Sequence, residues 1–167
     1  KKEEKRIILS DAYMNARVSL ERGDRNEAKN ELKKIIFDND STYSTLSLFL
    51  LLNNELIEDD QEILSLFNHV IKNNRFEKEI KNLLTYKKIL YSVNFITEEE
   101  LLNEVKPILN SETIWKPYVL LLVGDYFVSK KEYKKAKEFY TQVLSIKDLQ
   151  KELYDQSMTR LTFINQK

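Results

Sequence analysis

Cysteine is absent from this chain of 167 residues, which excludes disulfide bonds, thiolate nucleophiles and thiolate metal sites. Glycine and proline are scarce as well, at two residues each. Sheets and sandwiches normally need many such residues for their turns, so this composition argues against an all-β fold. Leucine, lysine, glutamate, isoleucine and asparagine are abundant instead, which favours a helical protein.

The chain also lacks an excess of charge of either sign and any long apolar run. Its 27 lysines and arginines balance 27 aspartates and glutamates, so no long-range field draws it to nucleic acid or to an acidic membrane. The longest apolar runs, 48–52 and 118–123, are far shorter than the roughly 20 residues that cross a bilayer. No signal peptide opens the sequence, and its charged start resembles a cut inside a longer protein. We therefore expect no nucleic-acid partner, and a membrane anchor only in an N-terminal helix that these residues lack.

Residues suited to catalysis or metal binding are equally sparse. His69 is the only histidine, so a metal site would need several carboxylates around one imidazole, and a partly buried structural role is the simpler interpretation. The acidic clusters 58–60 and 98–100 are better explained as favourable charges at helix starts. Neither a glycine-rich phosphate loop nor a Ser/His/Asp set is present. The sequence predicts no enzyme, no cofactor and no metal.

What is present is a repeated apolar pattern. Four times an apolar residue recurs at i, i+4 and i+7, and the first residues of these sets lie 35, 38 and 35 positions apart. The sets are Ala28/Leu32/Ile35, Ile63/Phe67/Val70, Leu101/Val105/Ile108 and Ala136/Tyr140/Val143. A period of about 34 residues is typical of stacked helical hairpins. The sequence thus predicts an all-α fold, a right-handed superhelical stack of about four hairpins with a C-terminal capping helix.

The same pattern predicts where the elements begin and end. The hairpins are expected at about 5–38, 42–73, 77–110 and 113–147 and the cap at 149–164, all within a single domain of residues 1–167. Capping-box spacing at three second-helix starts is found for Asp24 with Glu27, Asp59 with Glu62, and Thr97 with Glu100. Pro107 predicts a kink or an early helix end near Lys106, because an interior proline removes a backbone hydrogen bond.

Small residues mark the places where the two helices of a hairpin are expected to cross closely. Ala16 and Gly124 each precede a second-helix alanine, Ala28 or Ala136, by 12 positions. A glycine in mid-helix costs about 1 kcal/mol relative to alanine, so close packing is the best explanation for Gly124. The other glycine, Gly23, is assigned to the turn of the first hairpin.

The fourth hairpin carries the most specific motif. Its residues Leu120-x-x-Val123-Gly124-x-x-Phe127, followed by Ala136-x-x-x-Tyr140-x-x-Val143, resemble the tetratricopeptide signature W-x2-L-G-x2-Y with its later alanine and aromatic positions. The first hairpin matches the same signature at Ala12, Ala16, Gly23, Ala28, Leu32 and Ile35. The second and third hairpins keep only the apolar spacing. The resemblance implies a tetratricopeptide-like domain.

A narrower resemblance covers most of the chain. The stretches 11–17 (DAYMNAR), 41–48 (STYSTLSL), 124–126 (GDY) and 135–140 (KAKEFY) are similar, in order and spacing, to the periplasmic domain of the YfgM family, ancillary subunits of the Sec translocon (SecYEG). Members of that family carry one N-terminal membrane helix and associate with the translocon and a membrane-anchored periplasmic chaperone. The resemblance implies a domain at the periplasmic face of a bacterial inner membrane. The chain departs from the family in lacking the membrane helix and turn glycines in hairpins two and three.

The first helices of stacked hairpins line the concave surface, where a partner would bind. Counting back 15 and 11 positions from each second-helix anchor predicts the groove residues Tyr13, Arg17, Leu48, Leu52, Tyr86, Leu90, Leu121 and Asp125. Six of the eight are apolar or aromatic, which suits an extended or helical apolar segment. The alternative is that these residues fill the core of a short stack. Trp115 raises the same choice between packing at the junction of hairpins three and four and anchoring a partner.

These observations together predict a non-enzymatic scaffold for protein–protein interactions. Its expected partners are a translocon subunit, a periplasmic chaperone or an emerging polypeptide, in protein export. One alternative is a soluble cytoplasmic tetratricopeptide module for oligomerisation or complex assembly, whose groove is closed by another copy. A third hypothesis, an enzyme, would require a pair of carboxylates in a buried pocket.

Overall fold

The structure, a computed structural model, describes residues 2–167 and the side chains from residue 3 onward. Over that range the chain forms nine helices and no strand, which confirms the predicted all-α fold. The helices are α1 (Lys2–Glu21), α2 (Arg25–Phe37), α3 (Ser41–Asn53), α4 (Asp60–Asn73), α5 (Lys78–Ser92), α6 (Glu98–Leu109), α7 (Lys116–Ser129), α8 (Tyr133–Leu144) and α9 (Lys151–Ile164). Among residues 2–167, which the structure describes, no helix is long and apolar enough to cross a membrane.

The helices group into two compact units, residues up to Leu84 and residues from Thr85 onward, with α5 contributing to both. In the first unit α1 and α2 pack as a hairpin, α3 packs on both of them, and α4 packs on α2 and α3. The core of this unit is built from the predicted apolar sets, including Ala28, Leu32 and Ile35. Ser44 of α3 is buried, and its hydroxyl donates to the carbonyl oxygens of Ile35 and Ile36 at 3.3 and 3.0 Å. A small hydroxyl residue therefore lets α3 approach the end of α2 closely.

The second unit repeats this packing order. Helices α7 and α8 form a hairpin, α9 packs on both of them, and α6 packs on α7. The buried Ser157 of α9 donates to the carbonyl oxygen of Tyr140 at 2.7 Å, much as Ser44 does in the first unit. Helix α9 thus covers the α7–α8 hairpin as α3 covers the α1–α2 hairpin, and this relation is consistent with a helical-repeat stack. The assignment of the whole chain to a single domain stays a prediction.

Three of the hairpin turns close with the same pair of backbone hydrogen bonds. In each, a left-handed residue follows the first helix, and two amides bond back to carbonyls of the last turn, as in a Schellman motif. Gly23 holds the left-handed position after α1 with φ +86°, and Glu55 and Lys131 hold it after α3 and α7 with φ +49° and +60°. Only the first of these positions carries the glycine that such a conformation favours. The turns therefore repeat in geometry where they do not repeat in sequence.

The three predicted capping boxes have different outcomes. The prediction for Thr97 and Glu100 is confirmed, because the Glu100 amide donates to Thr97 Oγ1 at 3.1 Å and the Thr97 amide donates to Glu100 Oε2 at 2.7 Å. The box at Asp24 is wrong: its ψ of 63° lies outside the extended region that a cap needs, and its side chain accepts no cap bond. Asp59 does accept from the Gln61 amide at 2.9 Å, but the partner predicted for it, Glu62, pairs with Lys33 of α2 instead.

The sequence predicted a kink or an early helix end near Lys106. Helix α6 instead continues through Pro107 and ends at Leu109. The proline lies in the last turn, where the loss of one backbone hydrogen bond ends a helix that is already finishing.

The predicted close crossing at Gly124 is confirmed. A Cβ atom placed there would lie 2.2 Å from Cε1 of the Tyr140 ring and 2.6 Å from Cδ1. Only glycine lets α7 and α8 approach to this distance. Ala16, at the corresponding place in the first hairpin, is fully buried, as are Ala28 and Ala136 on the second helices.

Candidate functional site

The structure divides the predicted groove residues into two sets. Leu48, Leu52 and Leu121 are buried, so their side chains belong to the cores of their units and offer no surface to a partner. At these three positions, burial favours the alternative that the residues fill the core of a short stack and do not line a groove. The connection between α3 and α4 is longer than the one between α1 and α2, which shifts the register in the second hairpin. Helix α7 packs against α6 and α9 in addition to α8, and Leu121 on it is buried.

The other five predicted residues keep part of their surface. Tyr13 and Tyr86 are half-buried, whereas Arg17, Leu90 and Asp125 are exposed. All five lie on first helices of hairpins, namely α1, α5 and α7.

In the first unit, Tyr13 of α1 pairs with Tyr43 of α3. The ring centroids are 6.2 Å apart and the planes are inclined by 53°, a tilted arrangement that favours contact between aromatic rings. Tyr43 lies in the first turn of α3, where its amide and that of Thr42 both donate to the carboxylate of Asp40 at 3.0 Å. This cap fixes the start of α3 and with it the position of the Tyr43 ring.

Two further leucines continue this surface along α3. Leu46 and Leu50 follow Tyr43 at i+3 and i+7, so the three side chains share one side of the helix, away from the buried Leu48. Leu46 is 41% exposed and Leu50 is half-buried. We call the surface of Tyr13, Arg17, Tyr43, Leu46 and Leu50 the first face.

In the second unit, Tyr86 of α5 pairs with Tyr118 of α7 in almost the same way. Here the ring centroids are 6.1 Å apart and the planes are inclined by 54°. Trp115 adds a third ring, stacked on Tyr86 at 5.8 Å and tilted against Tyr118 at 5.6 Å. Burial raises the pKa of the Tyr86 hydroxyl, and the nearby Tyr118 and Asp125 raise it further, so this hydroxyl stays protonated and can donate a hydrogen bond. For Trp115, these contacts favour the packing alternative.

The neighbours of this second pair are again apolar. Leu90 follows Tyr86 one turn later on α5 and is 39% exposed, and the half-buried Leu122 follows Tyr118 on α7. We call the surface of Tyr86, Leu90, Trp115, Tyr118 and Leu122 the second face.

Asp125, at the end of this stripe on α7, is held by a polar cluster. The Tyr140 hydroxyl donates to Asp125 Oδ1 at 2.6 Å, and Arg160 of α9 donates through Nε to Oδ1 at 2.7 Å and through Nη2 to Oδ2 at 3.0 Å. The carboxylate thus joins α7, α8 and α9, and its bidentate pair with Arg160 fixes the orientation of both groups. Burial of the Tyr140 ring, followed by its hydrogen bond to Asp125, raises the pKa of that hydroxyl well above the usual value. This predicted groove residue therefore also has a structural role.

Tyr43 and Tyr118 were missed by the sequence analysis. A usable signal existed, because Tyr43 follows Tyr13 by 30 positions and Tyr118 follows Tyr86 by 32, close to the repeat length. The residues were overlooked because only the positions 15 and 11 before each second-helix anchor were counted, whereas Tyr43 lies 20 positions before Ile63 and Tyr118 lies 18 positions before Ala136.

The other polar residues that could have formed a site make contacts with neighbouring side chains. His69 Nε2 lies 2.8 Å from Asn39 Oδ1, and its ring meets Phe37 edge-on at 4.6 Å, so this partly buried side chain ties α4 to the end of α2. Across the part of the chain from residue 2, no three histidine, aspartate or glutamate residues cluster closely enough to hold a metal ion. Lys135 of α8 pairs with Glu98 and Glu132 at 2.9 and 2.7 Å.

Comparison with known proteins adds no relative to this description. No family model, no curated protein and no solved structure matches the chain.

Proposed function

We propose that this chain is a non-enzymatic scaffold for protein–protein interactions, built from tetratricopeptide-like hairpins, and that its two faces bind segments of partner proteins. The observation that carries the proposal is the repeated tyrosine pair. Tyr13 with Tyr43 and Tyr86 with Tyr118 join the first helices of successive hairpins with nearly the same distance and angle. All four rings keep part of their surface open although each lies beside a packed core.

Partly open tyrosines of this kind are well suited to binding. A tyrosine offers a large apolar ring with a polar tip, and it loses little conformational freedom when bound because it has only two side-chain torsions. Ring–ring contact restrains these side chains before a partner arrives, which lowers the entropy lost on binding. Aromatic residues are accordingly enriched in protein interfaces.

The neighbours of each pair define the chemistry of the partner. Leu46 and Leu50 extend the first face, and Leu90 and Leu122 extend the second, so both are mainly apolar. Arg17 supplies the one charge of the first face, and Asp125 with Arg160 supplies a neutral polar pair beside the second. This composition fits an amphipathic helix or an extended apolar segment, with few charges to specify its orientation.

A test of the faces uses the exposed leucine of each. Leu46→Glu combined with Leu90→Glu places a charge on both faces, and both side chains are exposed enough for the fold to persist. We expect the recovery of crosslinked partner proteins to fall at least about tenfold, since burying an unpaired carboxylate opposes binding. Ile8→Glu, at an exposed position of α1 away from the tyrosines, is the matched control and should leave recovery unchanged. Equal recovery with the double variant and the control would contradict the proposal.

The resemblance to the YfgM family supports a more specific role, as a membrane-tethered periplasmic domain that associates with the Sec translocon and a periplasmic chaperone during protein export. This role is tested by crosslinking and affinity recovery of the protein with its native N-terminus from solubilised membranes, followed by mass spectrometry. Recovery of Sec subunits and of a periplasmic chaperone would support it. Recovery from the soluble fraction without any Sec subunit would overturn it and would favour a soluble module for complex assembly.

A further inference from the structure

The first face carries a positive charge that nothing in its own unit neutralises. Arg17 is exposed on α1 one turn after Tyr13, so the two side chains lie on the same side of the helix. Within residues 3–167 its guanidinium forms no ion pair and no hydrogen bond, and Glu21, one turn further along α1, does not pair with it. Arg6, the other arginine on this side of α1, is already placed 3.9 Å from the carboxylate of Asp40. The face therefore has a net positive charge located at Arg17.

The corresponding position of the second unit is neutralised. Arg17 and Asp125 each lie 11 positions before the alanine that anchors the second helix of their hairpin. Asp125 accepts from the Tyr140 hydroxyl of α8 and from two nitrogen atoms of Arg160 on α9. All these groups belong to the chain itself, so this position needs no charge from a partner.

The first unit contains no group that could do the same for Arg17. The residue that corresponds to Tyr140, four positions after the anchoring alanine, is Leu32, which is fully buried and has no hydroxyl. Helix α3, which covers the first hairpin as α9 covers the last, contains no charged residue. A purely apolar segment bound here would remove water from an unpaired guanidinium, which opposes binding. A carboxylate on the segment would turn that penalty into a charge-assisted hydrogen bond.

We infer that Arg17 selects the partner of the first face: the segment bound there carries an aspartate or glutamate side chain among its apolar residues, whereas the second face has no such preference. The inference rests on the proposed function. Connections of three residues join α1 to α2 and α2 to α3, so α1 and α3 run in the same direction, and Arg17 lies beside Leu46, each about one turn after its tyrosine. The acid of the partner therefore stands about one helical turn, roughly 5–6 Å, from the apolar side chain that contacts the tyrosines.

The test is selection of a display library of random peptides, each of about 16 residues or roughly four helical turns, on the full chain. Each selected clone is assigned to a face by its loss of binding to Leu46→Glu or to Leu90→Glu. Clones of the first face should be enriched in aspartate and glutamate, and clones of the second should not. Selection on Arg17→Glu should turn the preference of the first face towards lysine and arginine. Arg22→Glu, the same charge change at an exposed arginine just after α1, is the matched control and should leave the preference unchanged.

A double-mutant cycle separates pairing from a structural role of Arg17. Replacing the acid of a first-face peptide by its amide should weaken binding to the unaltered chain about tenfold, but binding to Arg17→Gln less than about twofold, because the pair is then absent. A structural role would weaken both peptides equally. First-face clones without an excess of acids, an unchanged preference on Arg17→Glu, or equal losses in the cycle would overturn the inference and leave the proposed function standing. A selection without any clone sensitive to either leucine variant would overturn both.

Discussion

Gly124→Ala is the change that tests most directly how the α7–α8 hairpin is held together. The new Cβ would start 2.2 Å from Cε1 and 2.9 Å from Cζ of Tyr140, whereas ordinary contacts begin at 3.4 Å. The ring cannot easily retreat, because it is buried in the core and its hydroxyl is bonded to Asp125 at 2.6 Å. Either the ring must leave its position or the two helices must separate.

Two effects of opposite sign decide the result. Alanine is favoured over glycine in a helix interior by about 1 kcal/mol. Overpacking of a core typically costs about 1–3 kcal/mol, and so deep an overlap belongs at the upper end of that range. We therefore expect Gly124→Ala to lower the free energy of unfolding of the second unit by about 2 kcal/mol.

Urea denaturation followed by tryptophan fluorescence is the appropriate assay. Trp115 is the only tryptophan and packs on Tyr86 and Tyr118, so its emission reports on the second unit. Tyr140→Leu supplies the control background, because removal of the ring should make Gly124→Ala neutral or stabilising. The reasoning is refuted if Gly124→Ala stabilises the protein in the presence of Tyr140, or if its cost is the same in both backgrounds.

Other substitutions test the remaining contacts by the same urea assay or by circular dichroism. Lys131→Gly should stabilise the second unit by about 0.5–1 kcal/mol, because the residue adopts a left-handed conformation that glycine tolerates better; a loss of stability would contradict this. Thr97→Ala should cost about 1 kcal/mol through loss of the capping box, and Thr97→Ser should restore most of it. Leu48→Glu should unfold the first unit, whereas Leu46→Glu, two residues away, should leave the helical circular dichroism signal intact. The pKa of Tyr140 is raised in the folded state, so the stability that its neutral form contributes is complete below about pH 10 and is lost as the pH rises further; Tyr140→Phe should flatten this alkaline loss.

Much of the fold could be predicted because the apolar positions that form the core are separated by nearly constant intervals. The bounds of the helices lie within three residues of the hairpin limits expected from the sequence. The role of Gly124 could also be predicted, because a glycine in the middle of a helix is unfavourable unless another group packs closely against it. In the structure that group is the ring of Tyr140. The conformation of the turns was harder to predict, because Glu55 and Lys131 adopt the left-handed conformation that Gly23 adopts, although neither is a glycine.

The faces were harder to predict than the core. Burial in a helix depends on which helices lie on either side of it, and the sequence period does not contain that information. Tyr13 and Leu121 occupy corresponding positions, 15 residues before Ala28 and Ala136, yet Tyr13 keeps part of its surface and Leu121 is buried. Helix α7 packs against α6, α8 and α9, whereas α1, as far as the structure describes it, has its main contacts with α2 and α3.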